Sequence, residues 1–247
     1  VSFKHCPVRV VAREMITPSV LRIRFEREDG APLAYQAGQF VNVHFVAADT
    51  PDGELIHRSY SITDPPGGAG FSIAVAPVPG GRATAHLFGL AVGDSTRVSG
   101  PYGRFVLRDE PPSRLILVGT GTGITPYHAM LPELRARLAD PAFSVEMLLG
   151  VREASEVLFG DAFRAAAAHE RFGFRACLSR IAPEDCRADE VPGYVQAHFD
   201  VLALDPEKDI VYLCGNPEMI DQAFERLKAQ GFPMPSVRRE KYLPARS

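Results

Sequence analysis

The feature that most constrains this chain is a change of hydrophobic period near residue 110. Before it, apolar residues alternate in short runs: residues 20–25 read VLRIRF, 41–46 read VNVHFV, and FSIAVAPV places Phe71, Ile73 and Val75 on one side. Gly and Pro clusters separate the runs. Period-two alternation broken by turn residues predicts antiparallel strands, in a small barrel or sandwich. After Pro111-Pro112-Ser113 the pattern becomes strand, helix, strand, helix. Residues 115–118 are continuously apolar, as in a strand buried on both faces. Pro126 opens a helix reaching about Leu138. Strands follow over 145–151, 174–178 and 209–214, with a helix over 161–170. Asn216 and Pro217 then cap and start a helix whose apolar stripe is Met219, Ile220, Ala223, Phe224 and Leu227, and Gly231 ends it. Alternation of this kind predicts a parallel sheet covered by helices. The 247 residues therefore divide into an antiparallel β domain (1–110) and an α/β domain (111–247).

Composition excludes several classes. The chain is 46% hydrophobic and 23% charged, with a net charge of −3, which offers nothing to nucleic acid or to a membrane surface. No apolar run reaches the roughly 18 residues of a membrane span, and VSFKHCPVRV has no signal-peptide core. Cys6, Cys177, Cys186 and Cys214 lack the spacing of a cluster or disulfide framework, so a reducing cytoplasm and no bound metal are expected. Residues 237–247 hold Arg238, Arg239, Lys241 and Arg246 against Glu240. That tail is either a patch for an acidic partner or a solvated face.

Two glycine-rich segments suit phosphate. GTGTGITP (119–126) joins a strand to a helix, where backbone N–H groups and the helix terminus favour an anion. It is not the usual G-x-G-x-x-G, since Ile124 stands where the third glycine would be. A tight strand-to-helix turn needs glycine in any case. GGRATAHLF (80–88) places Gly81, Arg82 and Thr84 before a short helical pattern, and reads equally as a capped turn. HRSYSITDP (57–65) puts Arg58 and Tyr60 on one strand face and Ser59 and Ser61 on the other, until Asp64 and Pro65 end the strand.

Together these segments resemble the ferredoxin–NADP(+) reductase family over nearly the whole chain, from YQAGQF (35–40) to Tyr242. Arg58-Ser59-Tyr60-Ser61 matches the family's R-x-Y-S flavin motif. The resemblance implies a flavin barrel followed by a nucleotide-binding α/β domain, with FAD and NADP(H) as cofactors. It implies Arg58 on the flavin pyrophosphate, Tyr60 against the ring and Ser61 near N5. Ser59, Ala74, Val75, Gly81, Arg82, Ala83 and Thr84 join that site, with Ala83 replacing a frequent Cys. GPYGRF (100–105) resembles the segment closing the family's barrel. Thr120, Gly121, Thr122 and Gly123 would hold the second pyrophosphate. Ser179, Arg180, Tyr194 and Gln196, with Arg152 as a further candidate, would take the 2′-phosphate and adenine. Cys214-Gly215 would lie beside the nicotinamide, Glu240 would assist proton supply, and Tyr242 would cover the flavin, although five residues follow it. Ser61, Cys214, Glu240 and Tyr242 are thus the catalytic candidates. The implied activity moves electrons from NADPH to ferredoxin or another iron–sulfur carrier, in a monomer. The alternatives are an oxygenase reductase component, a free-flavin or ferric reductase using NADH, and a non-catalytic flavin-binding redox sensor.

Overall fold

A computed structural model describes residues 5–46, 55–109 and 113–243. Two compact units emerge. One is the chain up to Val106 together with Thr125–Ala129; the other is Leu107–Ile124 and the chain from Met130.

The first unit contains β1 (Cys6–Met15), β2 (Leu21–Arg27), β3 (Phe40–Val46), β4 (Leu55–Ser61), β5 (Gly70–Val75), α1 (Arg82–Gly89) and β6 (Ser95–Tyr102). The strand order is β4-β3-β6-β1-β2-β5, antiparallel throughout. The outermost strands meet where β4 ends. Ile62 bridges to Ile73, and the Thr63 N–H donates to the Ser72 carbonyl at 2.9 Å. The sheet thus closes on itself through one short seam, and the first half of β4 remains an edge. Alternation makes the core: Leu21, Ile23 and Phe25 of β2 are at most 1% exposed and face Val41, Val43 and Ile73. Burying one such side chain contributes about 1.5–3 kcal/mol.

The second unit contains β7 (Arg114–Thr120), the part of α2 (Thr125–Arg137) from Met130 onward, β8 (Ser144–Val151), α3 (Gly160–Ala166), β9 (Phe172–Leu178), β10 (Glu190–Pro192), β11 (Asp209–Gly215), α4 (Pro217–Ala229) and β12 (Val237–Lys241). All six strands are parallel, in the order β10-β9-β8-β7-β11-β12. Successive strands step away from β7 on one side, and the chain then returns to its other side at β11. That reversal between β7 and β11 is where open α/β sheets bind ligands, at the carboxyl ends of the strands.

Local readings hold where capping and period are strong. Asn216 Oδ1 accepts from the N–H groups of Glu218 (2.8 Å) and Met219 (3.2 Å), and the expected stripe of α4 is buried. The helix expected over 161–170 is shorter, because the chain turns at Ala167 and β9 already begins at Phe172. The three-residue β10 has no sequence signature, being short and containing Pro192. Residues 237–241 of the basic tail form strand β12. Its Arg239 guanidinium lies over the Phe224 ring at 3.6 Å, and Lys241 pairs with Asp221 at 2.5 Å. These two cations are engaged with α4 rather than forming a loose patch; Arg246 lies outside the described residues. All four cysteines are free thiols. Among the described residues no helix is long and apolar enough to cross a membrane, and no group of His, Cys, Asp or Glu could hold a metal ion.

Candidate functional site

In the first unit the expected site residues lie on β4, at the end of β5 and at the start of α1. Pairing with β3 sets Tyr60 opposite Val41 and Arg58 opposite Val43. Arg58 and Tyr60 are half-buried on one face, while His57 and Ser59 are exposed. Arg58 Nη1 donates to the His57 carbonyl at 2.7 Å, and Ser59 Oγ donates to Asn42 Oδ1 at 2.7 Å. Burial pushes the Tyr60 phenol up to about 12, against the opposing pull of the Arg58 charge. Tyr60 is therefore a neutral ring with a nearby cation. Ser61 should share the exposed face of Ser59 by simple alternation, yet it is buried. The strand turns inward there to make the Ile62 bridge, so Tyr60 and Ser61 occupy different surroundings.

Ala74 and Val75 end β5 and are buried. Val75 gives its side chain to the core and pairs with Leu21 of β2. Gly81 is the N-cap of α1 and offers the first-turn N–H groups no side-chain cap. Arg82 beside them is exposed and Ala83 packs inward. The Thr84 hydroxyl accepts from the Val78 N–H at 3.0 Å, closing the preceding turn, and keeps its own proton to donate. This donor set fits a phosphate.

What stands behind the motif was barely legible in the sequence. Asp64, expected only to end the strand, is buried and accepts from Arg22 Nη2 (2.5 Å), Arg24 Nη1 (3.1 Å) and Ser72 Oγ (2.7 Å). The Tyr35 hydroxyl is shared between the Asp64 (3.1 Å) and Pro65 (2.9 Å) carbonyls. Burial and the Asp64 charge push that phenol up to about 12. The available signal was two arginines at alternate positions of one strand, aimed at a common side.

In the second unit the candidates sit at the carboxyl ends of the strands. Residues Gly121–Ile124 form a 3-10 turn between β7 and α2, whose first turn carries neither acidic residue nor side-chain cap. This loop packs hard against the end of β11. A Cβ at Gly123 would lie 2.3 Å from the Cys214 carbonyl oxygen. Gly215 has φ +118°, and a Cβ there would lie 2.6 Å from both Thr120 oxygens. Thr120 Oγ1 accepts from the Asn216 N–H at 2.9 Å. Thr120, Gly123, Cys214 and Gly215 therefore interlock, whereas Gly121 and Thr122 remain partly exposed. Ile124, in place of the usual glycine, is fully buried.

Arg152, Ser179 and Arg180 follow β8 and β9. The ladder continues through them, with Ser179 N–H donating to Val151 O and Arg180 N–H to Arg152 O, both at 3.0 Å. Gly193 N–H donates to Leu178 O at 2.9 Å, which brings the exposed Tyr194 to the same end of the sheet. Gln196 is drawn toward α4 instead, its Nε2 donating to Gln222 Oε1 at 2.8 Å. Its buried Oε1 has no hydrogen-bond partner.

Parallel pairing of β11 with β12 sets Cys214 opposite Glu240. Tyr242 follows, with its N–H donating to Gly215 O at 2.8 Å and its side chain hydrogen-bonded to Cys214. Burial pushes the Cys214 thiol well up, the Glu240 charge adds to this, and the Tyr242 bond opposes it. Cys214 is a neutral thiol. Three of the four catalytic candidates thus converge in this unit, and Ser61 belongs to the other.

Residues 7–107 match an oxidoreductase FAD-binding domain, and residues 117–225 an oxidoreductase NAD-binding domain. A ferredoxin–NADP reductase B of Sorangium cellulosum is 34% identical over 245 residues, covering 95% of this chain and 96% of that protein. The toluate 1,2-dioxygenase electron transfer component of Pseudomonas putida is 29% identical over 85% of this chain, which spans 59% of that longer protein. In fold, the chain is similar to a ferredoxin NADP+ reductase from Neisseria gonorrhoeae, solved with bound FAD and NADP. The TM-score is 0.81 at 22% identity, over 96% of this chain and 98% of that one.

Proposed function

The chain belongs to the ferredoxin reductase family of FAD- and NAD(P)-binding oxidoreductases, and we propose that it takes electrons from NADPH and passes them to a separate iron–sulfur protein such as a ferredoxin. The observation that carries this reading is that each unit has a glycine-containing turn leading into a helix without a side-chain cap, and that Cys214 pairs with Gly119 where the second turn begins. FAD, when bound, accepts hydride from a reduced nicotinamide and releases electrons singly.

The residues divide the work. Arg58 and the N–H groups at 81–84 neutralise the flavin pyrophosphate, helped by Arg82 and the Thr84 proton. Tyr60 offers a neutral ring to the flavin, Ser59 braces the strand through Asn42, and the Ala74–Val75 main chain borders the ring. Ser61 presents a hydroxyl near N5. The glycine loop at 120–123 takes the nucleotide pyrophosphate. Arg152, Ser179 and Arg180 bind the 2′-phosphate, Tyr194 stacks on adenine, and Gln196 supplies an amide beside it. Cys214 stays neutral and packs at the nicotinamide, while Glu240 holds or moves a proton. Tyr242, through its bond to Cys214, steadies that thiol. Four free thiols suit a reducing cytoplasm.

A second reading, the reductase of an oxygenase system, is favoured by the likeness to the toluate dioxygenase component. The experiment is anaerobic reduction of FAD-loaded protein by NADPH and NADH side by side, followed by oxidised ferredoxin. The expected result is faster bleaching by NADPH and reoxidation by ferredoxin. Equal rates would remove the NADP assignment. Yellow protein that neither nucleotide reduces would indicate a flavin-binding sensor.

A further inference from the structure

We propose that Asp64 is a positioning residue for the flavin site: with Arg22, Arg24 and Ser72 it clamps the chain directly after Ser61 and so sets where Tyr60 and Ser61 stand. The inference rests on the flavin reading of β4.

The need for a clamp follows from the topology. Among the described residues, β4 over Leu55–Ser61 has one ladder partner, β3, because it lies at the end of the strand order. A strand held on one side is free to twist about that ladder. Past Ser61 the chain is held on both sides: the Ile62 N–H continues the β3 ladder by donating to Gln39 O, and the Thr63 N–H donates to Ser72 O of β5, both at 2.9 Å. The carbonyls there are held as well. His128 Nδ1 lies 2.7 Å from Thr63 O, and Tyr35 is shared between Asp64 O and Pro65 O.

Asp64 ties this corner to β2 and β5. One carboxylate oxygen takes Arg22 and the other takes Arg24 and Ser72. Register sets Arg24 opposite Ser72 and Arg22 opposite Ala74, so both cations and the serine stand on one face. The Asp64 side chain is only 9% exposed, against 27% and 35% for the two arginines. A carboxylate this buried is held by its partners, and one guanidinium on each carboxylate oxygen leaves it little rotational freedom. Ala74 and the residues at 60 and 61 are thus tied to one charged cluster. No apolar core side chain takes part in it, so its removal perturbs position more than packing.

The test compares FAD-loaded wild type with Asp64→Asn, which keeps size but turns two acceptors into one acceptor and one donor. FAD dissociation constant, visible circular dichroism of the bound flavin, kcat and KM are measured, with the melting temperature of the FAD-free protein. The expected result is FAD binding weakened about tenfold, altered flavin dichroism, and kcat lowered toward a hundredfold as for a displacement near 1 Å, at unchanged nucleotide KM. Ser72→Ala should move the same signals in the same direction by less, and serves if Asp64→Asn does not fold. Glu14→Gln, which removes the exposed second partner of Arg22 at 3.1 Å, should change none of them. A variant with lowered melting temperature but wild-type flavin affinity and dichroism would show a merely structural role and overturn the proposal. Wild-type protein that takes up no FAD would instead overturn the flavin reading itself.

Discussion

Replacing Gly123 by alanine tests the nucleotide loop most directly. The added Cβ would stand 2.3 Å from the Cys214 carbonyl oxygen, 2.6 Å from its carbon and 2.7 Å from Gly215 Cα. Carbon–oxygen contacts in proteins sit at about 3.3–3.6 Å, so about 1 Å must be found. All three atoms are main chain. Cys214 is held on both sides, opposite Gly119 in β7 and Glu240 in β12, so β11 cannot yield. The 3-10 turn and the start of α2 must move instead, and they carry the fully buried Ile124 with them. Overpacking of this kind costs about 3 kcal/mol, the upper end of the usual range. At about 2–4 °C per kcal/mol, calorimetry should show a fall of about 6–12 °C. A loop displaced by 1 Å should raise the KM for NADPH by up to about a hundredfold, measured with an artificial one-electron acceptor. Gly121→Ala is the control. Its φ is +52° with nothing within 4 Å of the new atom, so the cost is the left-handed backbone alone, about 1–2 kcal/mol. A Gly123→Ala protein with wild-type melting and KM, or one less damaged than Gly121→Ala, would refute the reasoning.

Ser61→Ala should slow reduction of bound FAD about a hundredfold while weakening FAD binding less than about tenfold; stopped-flow reduction and fluorescence titration separate the two, and unchanged kinetics would remove Ser61 from its role. Arg180→Ala should raise the KM for NADPH about tenfold or more and leave that for NADH alone; an equal rise in both would point away from the 2′-phosphate. Burial holds His44, His86 and His128 below the ordinary histidine range. The folded chain therefore binds fewer protons than the unfolded chain at low pH. Stability from these groups is present above about pH 6.5 and is lost as pH falls through their lower folded values. Melting temperatures across that window should drop toward acid, with a shallower slope in His44→Gln.

What the sequence determined by itself was local. Alternation in β2 and β5, the continuous apolar run of β7, the Asn216 cap with its α4 stripe, and the glycine turn before α2 each depend on spacings of two to four residues. Period and capping act over that range, so they can be read directly from the chain. The resemblance then supplied an expected role for each motif residue. The tertiary structure decided which distant segments meet. Closure at Ile62 and Ile73 turned Ser61 inward against simple alternation. Strand pairing put Cys214 opposite Glu240 and brought Tyr242 to it, and it turned a basic tail into a strand whose Arg239 and Lys241 rest on α4. Asp64 read as a strand terminator, because nothing in its neighbourhood along the chain shows that Arg22 and Arg24, about forty residues earlier, converge on it. A buried carboxylate is stable only where cations from other strands arrive together, and their arrival is fixed by sheet register, which no local spacing encodes.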